Sequence, residues 1–168
     1  MTFELKTLSP EALPRALEKA HRYRLLNEPG EAESICLDVL EVAPDNQEAL
    51  VTLLLALTDQ FDTDAASAVA DARKVIERLH DEYDRAYYSG MVLERQAKAQ
   101  LRHRTRGSGP RAYEWLREAM ACYEKAEALR PSGNDDAILR WNACARLLMR
   151  DRHLVPAAED KSELLFLE

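Results

Sequence analysis

Two segments far apart in the chain repeat the same residue spacing, and that repetition constrains the fold more than any other feature. In GEAESICLDVLEVAPDN, Ala32 is followed four residues on by Cys36, three further on by Val39 and five further on by Pro44. In REAMACYEKAEALRPSGN the same steps lead from Ala119 to Tyr123, Ala126 and Pro131. Steps of four and three keep side chains on one face of an α-helix. The proline then ends the helix, because it lacks an N–H and crowds the preceding turn. A chain that writes one packed helix twice, closed the same way, predicts helices arriving in pairs.

The rest of the chain carries helix punctuation as well. Ser9-Pro10-Glu11 predicts a helix start: a hydroxyl cap, a proline whose missing N–H costs nothing there, and an acid in the first turn. Pro14 marks an alternative start. NEPGEAE at 27–33 predicts a turn and an acidic helix entry, and Ala43-Pro44-Asp45-Asn46 a stop. QEALVTLLLALTDQ predicts a third helix, DTDAASAVADARKVIERLHDEY contains a fourth, and DRAYYSGMVLERQAKAQLRHR forms a long fifth. AYEWLREAMACYEKAEALR gives a sixth, closed by Pro131-Ser132-Gly133, and NDDAILRWNACARLLMR a seventh. No segment alternates as a strand does, and only 5 of 168 residues are glycine, so the predicted class is all-α.

The first helices share a second pattern, a small residue three positions before an aromatic or leucine: Ala20 with Tyr23, and Gly90 with Leu93. In the middle unit the pair is Leu54 with Leu57, a departure at the small position. Together these residues resemble the tetratricopeptide repeat (TPR) family, whose helix–turn–helix units run to roughly 34 residues. The resemblance covers residues 13–148. It implies antiparallel helix pairs stacked as a right-handed superhelix, about three repeats plus a terminal helix: 13–46, 47–82, an elongated unit at 83–133, then a helix at 134–150. A lead-in at 1–12 would precede the array and an acidic and apolar tail at 151–168 would follow it.

In this family the first helices line a concave groove that grips peptides. Carried over, the lining positions are His21, Arg24, Val51, Leu55, Asp59, Tyr87, Met91, Glu94, Arg95, Ile138, Asn142 and Arg146. That mixture of apolar patches edged by both charges suits a peptide with hydrophobic anchors. The alternative for Tyr87 and Met91 is core packing. The carboxylate clamp by which some members hold chaperone C-termini wants a lysine and an asparagine where this chain has Leu17 and His21.

The third unit is overlong. Ala20 and Ala32 are 12 apart, whereas Gly90 and Ala119 are 29 apart, so this unit carries 17 extra residues. Shared between its two helices, they predict a hairpin projecting roughly 10–12 Å beyond the array at 1.5 Å per residue. Ala97 and Leu101 would pack against Tyr113 and Leu116. Its tip is RHRTRGSGPR, with Arg102, His103, Arg104, Arg106 and Arg111 and no carboxylate. Local helix physics accounts for every residue there: cations at a helix end, Gly107 in a left-handed cap, Ser108 or Gly109 capping the next helix, and Pro110 in its first position. An anion or acidic partner at the tip is the competing reading. Gly107, Gly109 and Ala112 formally satisfy a dinucleotide-loop pattern, but no hydrophobic strand feeds them, which rejects it.

A net charge of −7 argues against a general nucleic-acid binder. The three cysteines, Cys36, Cys122 and Cys144, lack metal or redox spacing and fit small packing residues in a reducing compartment. His21, His80, His103 and His153 show no metal-ligand spacing, and no serine or cysteine sits in a nucleophile motif. No leader or membrane span is visible. The tail ends in Leu164, Leu165, Phe166 and Leu167, too apolar to stay in water, and is expected to dock on this chain, on a neighbour or over the last repeat. These readings converge on a cytoplasmic, non-catalytic, cofactor-free scaffold that binds a protein or peptide, with self-association through the tail open and neither nucleic acid nor membrane expected. A secretion chaperone of the TPR type and a regulatory module using the basic tip are the alternatives.

Overall fold

The computed structural model describes residues 2–62, 65–103 and 107–157. Arg104 and Arg106 of the basic stretch, and the quartet Leu164, Leu165, Phe166 and Leu167, lie outside the described residues. Within them the chain is all-helical, with no strand: α1 (Leu13–Leu25), α2 (Pro29–Val42), α3 (Gln47–Asp59), α4 (Ala65–Glu77), α5 (Glu82–His103), α6 (Ser108–Leu129) and α7 (Asp136–Arg150). No described helix is long and apolar enough to cross a membrane.

The helix ends follow from local chemistry, with some shifts from the sequence expectation. Pro10 opens a 3-10 turn rather than α1, and Ser9 contributes its backbone carbonyl, not its hydroxyl, to the Ala12 N–H. α1 then begins at Leu13 with Pro14 in its first turn, where no N–H is needed. The turn after α1 is shorter than NEPGEAE implied, because Pro29 and Gly30 already belong to α2. Asn46 caps α3 through Oδ1 accepting from the Ala49 N–H at 2.9 Å. Asp81 Oδ1 accepts from the Tyr83 and Asp84 N–H groups before α5. Gly107 takes φ +81° between α5 and α6, and α6 starts at Ser108, which moves Pro110 to its third residue.

Each helix packs on the next in sequence, and α1 also touches α3, as α3 touches α5. The residues of the repeated spacing form the contact face: Ala32, Cys36, Val39, Ala119, Tyr123 and Ala126 are all 0% exposed. Two apolar clusters result. One joins α1 to α4 and the Val92 and Ala99 side of α5 and includes Leu50, Leu54 and Phe61, and the other joins α5 to α7 around Leu116, Tyr123 and Cys144. In the second, Gly90 lets α5 approach α6, since a Cβ on Gly90 would lie 2.7 Å from Tyr123 Cε1.

α5 and α6 have 22 residues each, against 13 or 14 in α1 to α4. Ala97, Leu101, Tyr113 and Leu116 share the second cluster and hold the extension together. The far end of this hairpin is not a bare projection, however. The chain leaving α7 returns to it: Leu154 is buried in the same cluster, and the His153 carbonyl packs against Gly109.

Candidate functional site: a basic cleft between α1, α3, α5 and α7

The C-terminal ends of α1 and α3 lie beside the second half of α5, and α7 closes the group. Between them opens a cleft of about 470 Å³. α1 supplies Arg24, with Asn27 just beyond its end, and α3 supplies Thr58 and Asp59. α5 gives Glu94, Arg95, Lys98 and Arg102, and α7 gives Arg140. Every one of these side chains is polar. The apolar anchors expected of the groove do not line this cleft.

Asp59 is the last residue of α3, where the negative end of the helix dipole disfavours a carboxylate. Two arginines offset that cost. Arg24 donates from Nε at 2.9 Å and from Nη2 at 2.8 Å to Oδ2, and Arg95 Nη1 pairs with Oδ1. The same Arg95 nitrogen donates to Thr58 Oγ1 at 2.7 Å, while the Thr58 hydroxyl donates to the Leu55 carbonyl at 2.8 Å. One acid thus ties α1, α3 and α5 together through side chains.

Glu94 does the same between α5, α6 and α7. Its side chain is 0% exposed. Tyr123 Oη donates to Oε2 at 2.6 Å, and Arg140 Nη1 reaches Oε1 at 3.3 Å, beside Lys98 Nζ on the same oxygen. Burial pushes this carboxyl up, but hydrogen bonds from Lys98 and Tyr123 and the Arg140 charge outweigh it and hold it below its ordinary value of 4.5. Burial and the adjacent Glu94 charge push the Tyr123 phenol far up, so it stays a donor. Burial weakens the protonated form of Arg140, yet Glu94 and the Tyr87 hydroxyl more than restore it. The network is a buried carboxylate held ionised by three donors.

Arg102 lines this cleft as well as the hollow at the far end of the hairpin, beside Gly107, Ser108, Gly109 and Pro110. It donates from Nε at 2.8 Å and Nη2 at 2.7 Å to Asp62 Oδ1, in the turn after α3, and His103 Nε2 lies 3.2 Å from the Asp62 carbonyl. Arg111 is exposed on α6, with its guanidinium 5.9 Å from the Trp115 ring centroid, and does not line the cleft.

Of the groove positions carried over from the repeat pattern, Arg24, Asp59, Glu94 and Arg95 therefore meet in one place. His21 lies on another part of the α1–α3 face, 3.2 Å from Glu48. Val51 and Leu55 are half-buried on α3, and Val51 packs on the first cluster. Met91 is 4% exposed and is a core side chain, because its position on α5 turns toward the packed neighbours and not the cleft. Tyr87 is half-buried, stacked on Tyr83 with centroids 5.7 Å apart and edge-on to Tyr88 at 5.1 Å. It packs with the second cluster while offering its hydroxyl to Arg140. Ile138, Asn142 and Arg146 sit on α7 outside the cleft. Sequence reasoning missed Asn27, Thr58, Lys98 and Arg140. For α5 a signal existed, since Arg95, Lys98 and Arg102 are spaced three and four apart on one helix face.

Among the described residues no three His, Cys, Asp or Glu side chains gather as a metal site. Burial pushes the Cys36 and Cys144 thiols up to about 12, so both are packing groups at neutral pH. The arrangement can bind an anion through guanidinium forks and an ammonium. Compared with known proteins, the chain matches no family model, no curated protein and no solved structure.

Proposed function

We propose that the protein is a non-catalytic interaction scaffold, built as TPR-like helix pairs stacked in a right-handed superhelix, that takes an acidic peptide segment of a partner protein in the cleft. The observation that carries this reading is the convergence of five cations from three helices in a chain of net charge −7. Three carboxylates pair with these cations and leave two positive charges over, which favours a negative ligand. The contacts of α1 with α3 and of α3 with α5 support the stacking, since first helices meet along one face in such an array. A polar lining replaces hydrophobic anchors by charge, so the partner segment is rich in Asp and Glu.

Fluorescence polarisation with a labelled peptide of alternating acidic and small residues, against a neutral peptide of equal length, tests this. The acidic peptide binds and weakens as salt rises from about 50 to 500 mM, because the cleft is open to solvent. Replacing Arg95 and Lys98 together by Gln removes two solvent-screened charge contacts, each up to about 1 kcal/mol or roughly fivefold. Circular dichroism of the variant controls for folding. Equal binding of the neutral peptide, or unchanged affinity in the folded double variant, refutes the reading.

A further inference from the structure

Around the cleft five cations, Arg24, Arg95, Lys98, Arg102 and Arg140, face three carboxylates, Asp59, Asp62 and Glu94, which leaves a surplus of two positive charges. Every carboxylate is held by at least one guanidinium or ammonium at its own helix junction. They fix the cations in place and cancel three of the five positive charges. A single added carboxylate would neutralise half of the surplus. A phosphate monoester, which carries about −1.5 to −2 at neutral pH on three acceptor oxygens, would neutralise it nearly completely.

The donor geometry points the same way. Arg24 and Arg102 each meet their acid along one edge, through Nε and Nη2, and a guanidinium has five N–H groups in a planar fork. These two guanidinium groups and the Lys98 ammonium line the same cleft with N–H groups left over, enough donors for a group with three terminal oxygens. A carboxylate has two and cannot engage as many donors. The anchoring also sets the cations before a ligand arrives, which lowers the ordering cost of binding. A volume of about 470 Å³ suits one phosphorylated side chain and its neighbours. An extended polyanion would instead meet the repulsion of the acidic remainder of the surface.

We propose that the cleft recognises a phosphate monoester dianion, presented as a phosphorylated serine or threonine within the partner's acidic segment. This rests on the scaffold reading above and adds the identity of the decisive group. The experiment uses the full chain and three labelled peptides identical except for one central residue: serine, glutamate or phosphoserine. Free phenyl phosphate is a fourth probe, by competition. The expected result is phosphoserine at least tenfold tighter than glutamate, with serine weakest and phenyl phosphate far weaker than the phosphopeptide. Arg102→Gln, at an exposed side chain whose loss spares the core, is expected to cut the phosphoserine advantage to about threefold. That is the effect of lowering the surplus from two to one; Lys98→Gln serves as a second variant with the same expectation. Glutamate and phosphoserine peptides binding equally would overturn the phosphate inference while leaving the scaffold reading standing. No binding of any peptide would overturn both. Phenyl phosphate as tight as the phosphopeptide would overturn the peptide reading, because the cleft would then serve a small phosphorylated compound.

Discussion

Replacing Glu94 by Gln tests the central physical claim about this molecule, that one buried carboxylate joins α5, α6 and α7. Glutamine keeps the shape but loses the charge, and offers one acceptor oxygen where Glu94 uses two. Either Tyr123 or the cations lose their acceptor, and an NH₂ group then faces donors. Loss of the charge-assisted Arg140 contact costs about 1.5–3 kcal/mol. Lys98, 39% exposed, adds less than about 1 kcal/mol after solvent screening. Relief of the carboxylate's own desolvation offsets part of this, leaving a net loss of about 2–3 kcal/mol at pH 7. For a chain this size that lowers Tm by about 5–10 °C. The pH dependence identifies the cause. The folded-state carboxyl titrates below its ordinary 4.5, so Glu94 contributes stability that is complete above that value and disappears as pH falls through the depressed folded value. The Tm difference between the native protein and Glu94→Gln should therefore be constant from pH 8 to about 5.5 and shrink towards pH 3. Other acids titrate equally in both proteins and cancel in the difference. A difference below about 0.5 kcal/mol at pH 7, or one that does not narrow in acid, would show that burial and not the three donors governs this group.

Two further outcomes follow from close approaches. Gly90→Ala would ordinarily favour the helix by about 0.5–1 kcal/mol, but its methyl would lie 2.7 Å from a Tyr123 ring that is 0% exposed and held at its hydroxyl. Overpacking at about 1–3 kcal/mol wins, and urea unfolding should show a net loss of about 1 kcal/mol, whereas a gain would contradict the packing. In Gly109→Ala the methyl would sit 2.3 Å from the His153 carbonyl oxygen, a backbone atom that has to move. Trypsin should then cut more quickly after Arg152, and unchanged digestion kinetics would mean that the segment after α7 does not rest on α6.

The all-α class was legible because helix periodicity, prolines and capping residues are local, and the repeated spacing was legible because Ala32, Cys36, Val39, Ala119, Tyr123 and Ala126 all face inward. The polar cleft was only half legible. Arg24 and Asp59 are 35 residues apart, and Glu94 and Arg140 46 apart, so neither pairing has a local signature. Met91 shows the opposite difficulty. A rotation of α5 by part of a turn decides whether that position faces a groove or a core, and the composition of the helix does not fix its rotation. The Gly90–Tyr123 approach does fix it, and it places Met91 inside.

The added length of the third helix pair gives the cleft its reason. A helix of 13 residues beginning at Glu82, the length of α1, α3 and α4, would end at Glu94. Arg95, Lys98 and Arg102 all lie beyond that point, on the turns that the insertion adds, and they bring three of the five cations. Extension of α5 therefore does more than lift a basic turn away from the other helices. It runs the helix past the ends of α1 and α3, so that Arg95 reaches Asp59 and Arg102 reaches Asp62. α6 must lengthen with it to cover its apolar side, which Ala97, Leu101, Tyr113 and Leu116 accomplish. Shortening the hairpin by two turns on each helix would remove the surplus charge of the cleft while leaving the repeated core residues in place.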